Sequence, residues 1–214
     1  MRFAGVLALL LLTACAARPP ARPFTYVALG ASDAVGVGAR NPETEGWVAR
    51  FGARLGTQTR IVNLGVSGST LAQALDEQLG AALDAQPDIV TIWLAVNDFN
   101  ARVPLQSYAR DLDRLLGAIE GTRARVLVGN IPNLALLAAA SGVNAPLLLE
   151  EVDRWNAVIA DAAARHGATV VDLYARWQEV AEHPEYLSQD GFHPSSEGYA
   201  RLAEVFAEAL DGAH

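Results

Sequence analysis

The sequence predicts an α/β fold, a three-layer α/β/α sandwich on a five-stranded parallel sheet of flavodoxin-like order. Two observations predict it. Short runs of β-branched and apolar residues alternate with longer stretches of helical periodicity, the pattern that covers both faces of a parallel sheet with helices. The chain also has 214 residues and 51% hydrophobic content, enough for one domain with a sizeable core.

Taken in order, the first segment reads as an address. Arg2 supplies the positive start, and Gly5 to Leu12 is an apolar run too short to span a bilayer, so residues 1–14 are expected to be a signal peptide. It ends in Leu12-Thr13-Ala14-Cys15, which resembles the lipobox of bacterial lipoproteins. That resemblance implies acylation of the Cys15 sulfur, with Cys15 as the new N-terminus, and an extracytoplasmic chain lipid-anchored to a bacterial membrane on its periplasmic or cell-surface side. An ordinary secretory signal with a chance cysteine is the alternative. The lipobox is favoured because Cys15 is the sole cysteine and stands at the end of the apolar run. With that thiol lipidated, neither a disulfide nor a cysteine-based zinc site is available. Residues 15–23, with Pro19, Pro20 and Pro23, read as an extended spacer, and 24–214 as the folded domain.

Within that domain strands are predicted over 25–29, 60–64, 89–95, 124–129 and 169–173. Helices are predicted over 46–55, 71–85, 105–120, 145–166 and 197–210. Pro87 and Gly167 mark helix ends. In open sheets of this kind ligands bind at the carboxyl ends of the strands, so the chemistry is sought there.

Composition excludes several chemistries first. The formal charge is −8 and no arginine stripe is present, so no nucleic-acid partner is expected. All 16 basic residues are arginine, and the lack of lysine removes Schiff-base chemistry, a Ser-Lys dyad and a Walker A lysine. No paired-histidine or His-x-x-Glu spacing occurs, so neither metal nor cofactor is expected. Gly36-Val37-Gly38 hints at a dinucleotide loop, but Asn41 stands where its third glycine belongs. Ser32 lacks the Gly-x-Ser-x-Gly frame of a nucleophile elbow, which argues against the α/β-hydrolase fold.

Small polar residues follow the strands. Gly30-Ala31-Ser32-Asp33 comes after the first, Gly65-Val66-Ser67-Gly68-Ser69 after the second and Val96-Asn97-Asp98 after the third, while Asp190-Gly191-Phe192-His193-Pro194 precedes the last helix. These four blocks, in this order and across nearly the whole domain, resemble those of the SGNH/GDSL hydrolase family. The resemblance implies the SGNH hydrolase fold, a nucleophile at Ser32, an oxyanion glycine at Gly68, an oxyanion asparagine at Asn97, and Asp190 and His193 as the Asp-x-x-His pair. Ala31 departs from the family's usual aspartate and Ala95 from its usual glycine.

The chemistry can be argued without the family. A serine hydroxyl needs a neighbouring base, and a neutral imidazole oriented by a carboxylate serves best, as His193 and Asp190 three residues apart on one loop or helical turn could. The tetrahedral intermediate then needs preformed donors, which the Ser32 and Gly68 backbone N–H groups and the Asn97 amide would supply. Each residue also has an ordinary use: Ser32 and Ser69 as helix caps, Gly68 and Asn97-Asp98 in turns, Asp190 or Ser195 capping the last helix. Ser67 and Ser69 are assigned structural roles. His166, His183 and His214 are read as a helix-end, a surface-loop and a terminal residue. The function expected is a serine ester hydrolase: a carboxylesterase, lysophospholipase-like enzyme, thioesterase or O-deacetylase acting as a monomer on a small-molecule, lipid or carbohydrate acyl ester. A lipid-anchored binding protein with the same fold and no turnover is the alternative. The apolar run from Ile131 to Ala140 reads as a helix packed on the core or as a wall for an acyl chain.

Overall fold

The structure is a computed structural model, which describes residues 22–138, 142 and 144–212. Cys15, the signal segment 1–14, the spacer up to residue 21 and His214 lie outside the described residues. The elements run β1 (Thr25–Gly30), α1 (Ser32–Val35), α2 (Pro42–Glu45), α3 (Trp47–Leu55), β2 (Arg60–Asn63), α4 (Leu71–Glu77), α5 (Leu79–Asp84), β3 (Ile89–Trp93) and α6 (Val96–Asn100). They continue α7 (Leu105–Glu120), β4 (Arg125–Gly129), α8 (Ala135–Ala138), α9 (Ala145–Arg165), β5 (Thr169–Val171), α10 (Leu173–Arg176), α11 (Gln178–Glu182) and α12 (Ser196–Gly212). All five strands pair in parallel in the order β2-β1-β3-β4-β5, the flavodoxin-like order expected.

Successive side chains of a strand point to opposite faces, so a central strand covered by helices on both sides must be apolar throughout. Every residue of β1 and β3 is buried. Val27, Leu29, Val90 and Ile92 join Leu112 and Leu116 of α7 and Trp155 and Ile159 of α9 on one face. Tyr26, Ala28, Ile89 and Trp93 join Trp47 and Phe51 of α3 and Tyr199 and Phe206 of α12 on the other. There the Trp47 ring stacks on Phe206 with centroids 4.3 Å apart. Burying one such large apolar side chain stabilises the fold by roughly 1.5 to 3 kcal/mol, so these two clusters set which strands lie at the centre.

Several segments differ from expectation, among them β3, which ends at Trp93 and not at Ala95. The helix predicted over 71–85 is two, α4 and α5, parted at Gln78 (φ −107°, ψ −38°), whose side chain turns inward to bond the Gly30 backbone. The last strand stops at Val171 because Asp172 caps α10, accepting from the Ala175 N–H. Arg22, assigned to the spacer from the sequence, grips Asp88, donating from Nη1 to Oδ2 at 2.8 Å and to the Gln86 carbonyl at 3.1 Å. Asp88 also accepts from the Thr25 N–H at 2.8 Å, so the segment entering β1 is fixed from Arg22 onward.

Candidate active site

Strand order reverses direction at β1 and β3, and at such a point the connections leave a crevice at the carboxyl ends. Ser32 follows β1 and Asn97 follows β3, so both stand at that crevice. β1 ends at Gly30, where an added Cβ would lie 2.6 Å from the Ala34 Cβ; glycine lets α1 fold back onto the strand end. Ala31 is the N-cap of α1 and makes no side-chain cap, which leaves the hydroxyl of Ser32 free of any capping role. Its Oγ lies 2.9 Å from His193 Nε2.

The other end of this arrangement is one loop between α11 and α12. Asp190 Oδ1 accepts from the backbone N–H groups of Phe192 and His193, each at 2.8 Å, and from the Ser188 hydroxyl at 2.8 Å. Asp190 Oδ2 stands 2.6 Å from His193 Nδ1. One carboxylate thus shapes the loop and aims the ring. Burial acts to raise the Asp190 carboxyl, but the hydrogen bonds from His193, Phe192 N–H and Ser188 outweigh it and hold the group well below the usual carboxylate range. Asp190 does not cap α12. Ser195 does, its Oγ accepting from the Gly198 N–H at 3.2 Å.

Asn97 is the second residue of α6 and not part of a simple turn. Its Nδ2 donates to the Ser69 carbonyl at 2.9 Å, leaving the second amide hydrogen for another acceptor. Gly68 has φ +83° and nothing within 4 Å of where a Cβ would be, so its left-handed turn opens to solvent. Among the described residues neither the Ser32 nor the Gly68 N–H donates to an acceptor of the chain. Ser32, Ser69 and Asn97 line a small recess with Ala31, Asp33, Leu94 and Phe192. Gly68 is not in its wall, although its neighbour Ser69 is. Ser69 is not a helix cap either; that role belongs to Thr70, whose Oγ1 accepts from Gln73 N–H while Gln73 Oε1 accepts from Thr70 N–H at 2.9 Å.

His166 and His183 stay apart from this cluster. His166 follows α9 and lies 3.0 Å from Asp113 and 3.2 Å from Glu120, and exposed His183 pairs with Glu185 at 2.9 Å. The apolar run after β4 begins in the core, with Ile131 to Leu134 all buried, while Leu136 is exposed; 139–141 lie outside the described residues.

Four residues at the site carried no role in the sequence reading. Asp33 stands beside His193, and burial pushes its carboxyl up to about 6 against the attraction of the imidazole. The Tyr199 hydroxyl next to it donates to the Val37 carbonyl at 2.6 Å. Asp98 Oδ2 accepts from the Leu71 N–H at 2.9 Å, joining α6 to the start of α4, and burial raises this carboxyl to about 6. Gln78 holds the Gly30 peptide. A signal for Asp33 existed: it lies two residues beyond Ala31, where the resembling family carries its acid. Gln78 and Tyr199 carried none, because an amide and a phenol on helices read as surface and core residues.

The chain is similar to known proteins over most of its length. An acetylxylan esterase of Geobacillus stearothermophilus is 25% identical over 158 residues, covering 71% of this chain and 72% of the relative. Among solved structures, that of TesA superposes with a TM-score of 0.73 at 24% identity, covering 89% of this chain and 99% of the other. A putative GDSL-like lipase from Parabacteroides merdae gives 0.73 at 20% identity, covering 89% and 96%. A catalytic mutant of the Geobacillus stearothermophilus acetylxylan esterase gives 0.72 at 20% identity, covering 87% and 94%. These likenesses establish the fold. Residues 28–201, from the middle of β1 into α12 and spanning all four motif blocks, match the profile of one family. This chain therefore belongs to the GDSL-like lipase/acylhydrolase family.

Proposed function

We propose that the chain is a serine ester hydrolase that works through an acyl-enzyme on Ser32. The observation that carries this is the unbroken relay from Ser32 Oγ to His193 Nε2 at 2.9 Å and from His193 Nδ1 to Asp190 Oδ2 at 2.6 Å, at the carboxyl edge of the sheet. With its proton on Nδ1 the ring donates to Asp190 and presents a free lone pair at Nε2. Ser32 Oγ attacks the acyl carbon as its proton passes to Nε2, and the imidazolium is stabilised by the Asp190 carboxylate. The tetrahedral oxyanion is received by the Ser32 and Gly68 N–H groups and the free amide hydrogen of Asn97. His193 then protonates the leaving alcohol oxygen, and water, deprotonated by the same ring, releases the acid and restores Ser32.

The recess at Ser32 is small, and the apolar residues Ile131 and Leu134 are spent on the core and do not line it. This supports a short acyl group, with the alcohol part, a carbohydrate or other small molecule, left outside. The acetylxylan esterase relative points the same way. We further propose that the chain is held outside the cytoplasm by lipid on Cys15 and acts as a monomer. Turnover on p-nitrophenyl esters from acetate to palmitate tests the reading: rates should be highest for acetate and fall with chain length. Absence of turnover on every ester in a folded protein would favour a binding protein that keeps the fold without the chemistry.

A further inference from the structure

The break between α4 and α5 has a chemical consequence at the site. Gln78 is 1% exposed. Its Oε1 accepts from the Gly30 N–H at 3.0 Å and its Nε2 donates to the Gly30 carbonyl at 3.0 Å. Beyond Asn63, paired with Ala28, the chain after β2 still donates to β1, from Leu64 N–H to the Ala28 carbonyl at 2.9 Å and from Val66 N–H to the Gly30 carbonyl at 3.2 Å, but it offers no carbonyl to the Gly30 N–H. The side-chain amide of Gln78 therefore supplies the acceptor that the β2 side does not offer the Gly30 N–H, and shares the Gly30 carbonyl with Val66 N–H, at the residue from which the chain turns toward Ser32. Gln78 Nε2 also lies 3.4 Å from Ser69 Oγ, and the Ser69 carbonyl is the acceptor of Asn97 Nδ2. One buried amide thus touches the segment leading to Ser32 and the segment that carries Gly68 and supports Asn97.

A buried carboxamide is kept only where its donors and acceptor are matched, and a simple core contact would have been met by leucine or methionine at lower desolvation cost. The helix is interrupted to deliver this group, which a packing role alone does not require. From these contacts we infer that Gln78 is a positioning residue of the oxyanion hole. It fixes the peptide planes on either side of Gly30, and through Ala31 the direction of the Ser32 N–H, relative to the Gly68 and Asn97 donors. It touches no reacting atom. The inference rests on the reading of Ser32 as the nucleophile.

The test uses Gln78→Met, which keeps volume and removes both bonds, and Gln78→Glu, which keeps the shape and removes the amide donor in case the first variant does not fold. Steady-state kinetics on p-nitrophenyl acetate and the rate of phosphonylation by a fluorophosphonate are read against thermal melting. Misplacing a donor by a fraction of an ångström weakens the transition state and leaves substrate binding almost unchanged. The expected result is kcat lowered about 10- to 100-fold with KM within about twofold, and phosphonylation slowed in proportion. A folded variant of either kind with kcat and phosphonylation within about twofold of wild type overturns the inference, as does a loss confined to melting temperature. Failure of the hydrolase reading shows instead in the wild type, which would neither turn over the ester nor take the phosphonate, and would remove the Gln78 inference with it.

Discussion

At the residue scale the site separates groups that react from groups that hold them. Asn97→Ala removes one of the proposed oxyanion donors and also the support of the Ser69 carbonyl. Its kcat should fall about 10²- to 10³-fold with KM changed far less, read by steady-state kinetics on a p-nitrophenyl ester; a change in KM alone would assign Asn97 to substrate binding. Asp33 is a different case, because its charge is held at a cost to the fold. Its folded carboxyl sits at about 6 against the ordinary 3.8, so as pH rises the unfolded chain releases this proton first and stability falls through that window. Below it both states are neutral and the group contributes nothing. Asp33→Asn should therefore melt higher than wild type at about pH 7.5, by on the order of 1 to 3 kcal/mol, and no higher at about pH 3.5. The same variant should lose about tenfold in kcat/KM, since a negative charge facing His193 favours the imidazolium formed during attack. Equal melting temperatures at the higher pH would contradict the buried charge. Ser32, Asp190, His193 and Asn97 were legible in the sequence because their chemistry fixes residue type and their blocks stand beside strand ends. Asp33 and Gln78 were not, since their roles come from burial and from partners far along the chain: Asp33 interacts electrostatically with His193, 160 residues on, and Gln78 bonds Gly30, 48 residues back.

At the element scale the parallel strands were readable because burial on both faces leaves β1 and β3 as mostly apolar runs, interrupted only by Thr25 and Thr91. Their ends were less so. The breaks at Gln78 and Asp172 are set by side chains that bond to backbone, which hydrophobic periodicity does not register. Helix-to-helix fastening is also side-chain work, and His166 gives a pH-dependent instance. Lying at the end of α9, it meets Glu120 and Asp113 of α7, and hydrogen bonds to these carboxylates, Glu120 first, raise it above the ordinary histidine value of 6.5. A raised histidine adds stability that is complete below that ordinary value and is lost as pH climbs through the raised one. His166→Gln should accordingly melt below wild type in mildly acidic buffer, with the gap narrowing as pH rises. A gap that widens with pH would contradict the pairing.

At the scale of the whole molecule, one sheet edge gathers four segments far apart in sequence into one crevice, and that convergence is what the motif order implied. The proposed lipid anchor belongs to this scale as well. Cys15→Ser should shift the protein from the membrane to the soluble fraction and leave ester turnover of the folded domain unchanged, whereas a wild-type protein that is soluble with an unmodified Cys15 by mass spectrometry would contradict the lipid anchor. The central claim is that Ser32, activated by His193, is the nucleophile. It is tested most directly by treating the protein with a fluorophosphonate and mapping the adduct by peptide mass spectrometry. The account predicts a single adduct on Ser32, absent from Ser32→Ala protein that still melts near the wild-type temperature. An unlabelled Ser32 in the folded wild type, or a folded Ser32→Ala protein that keeps most of its esterase activity, would contradict it.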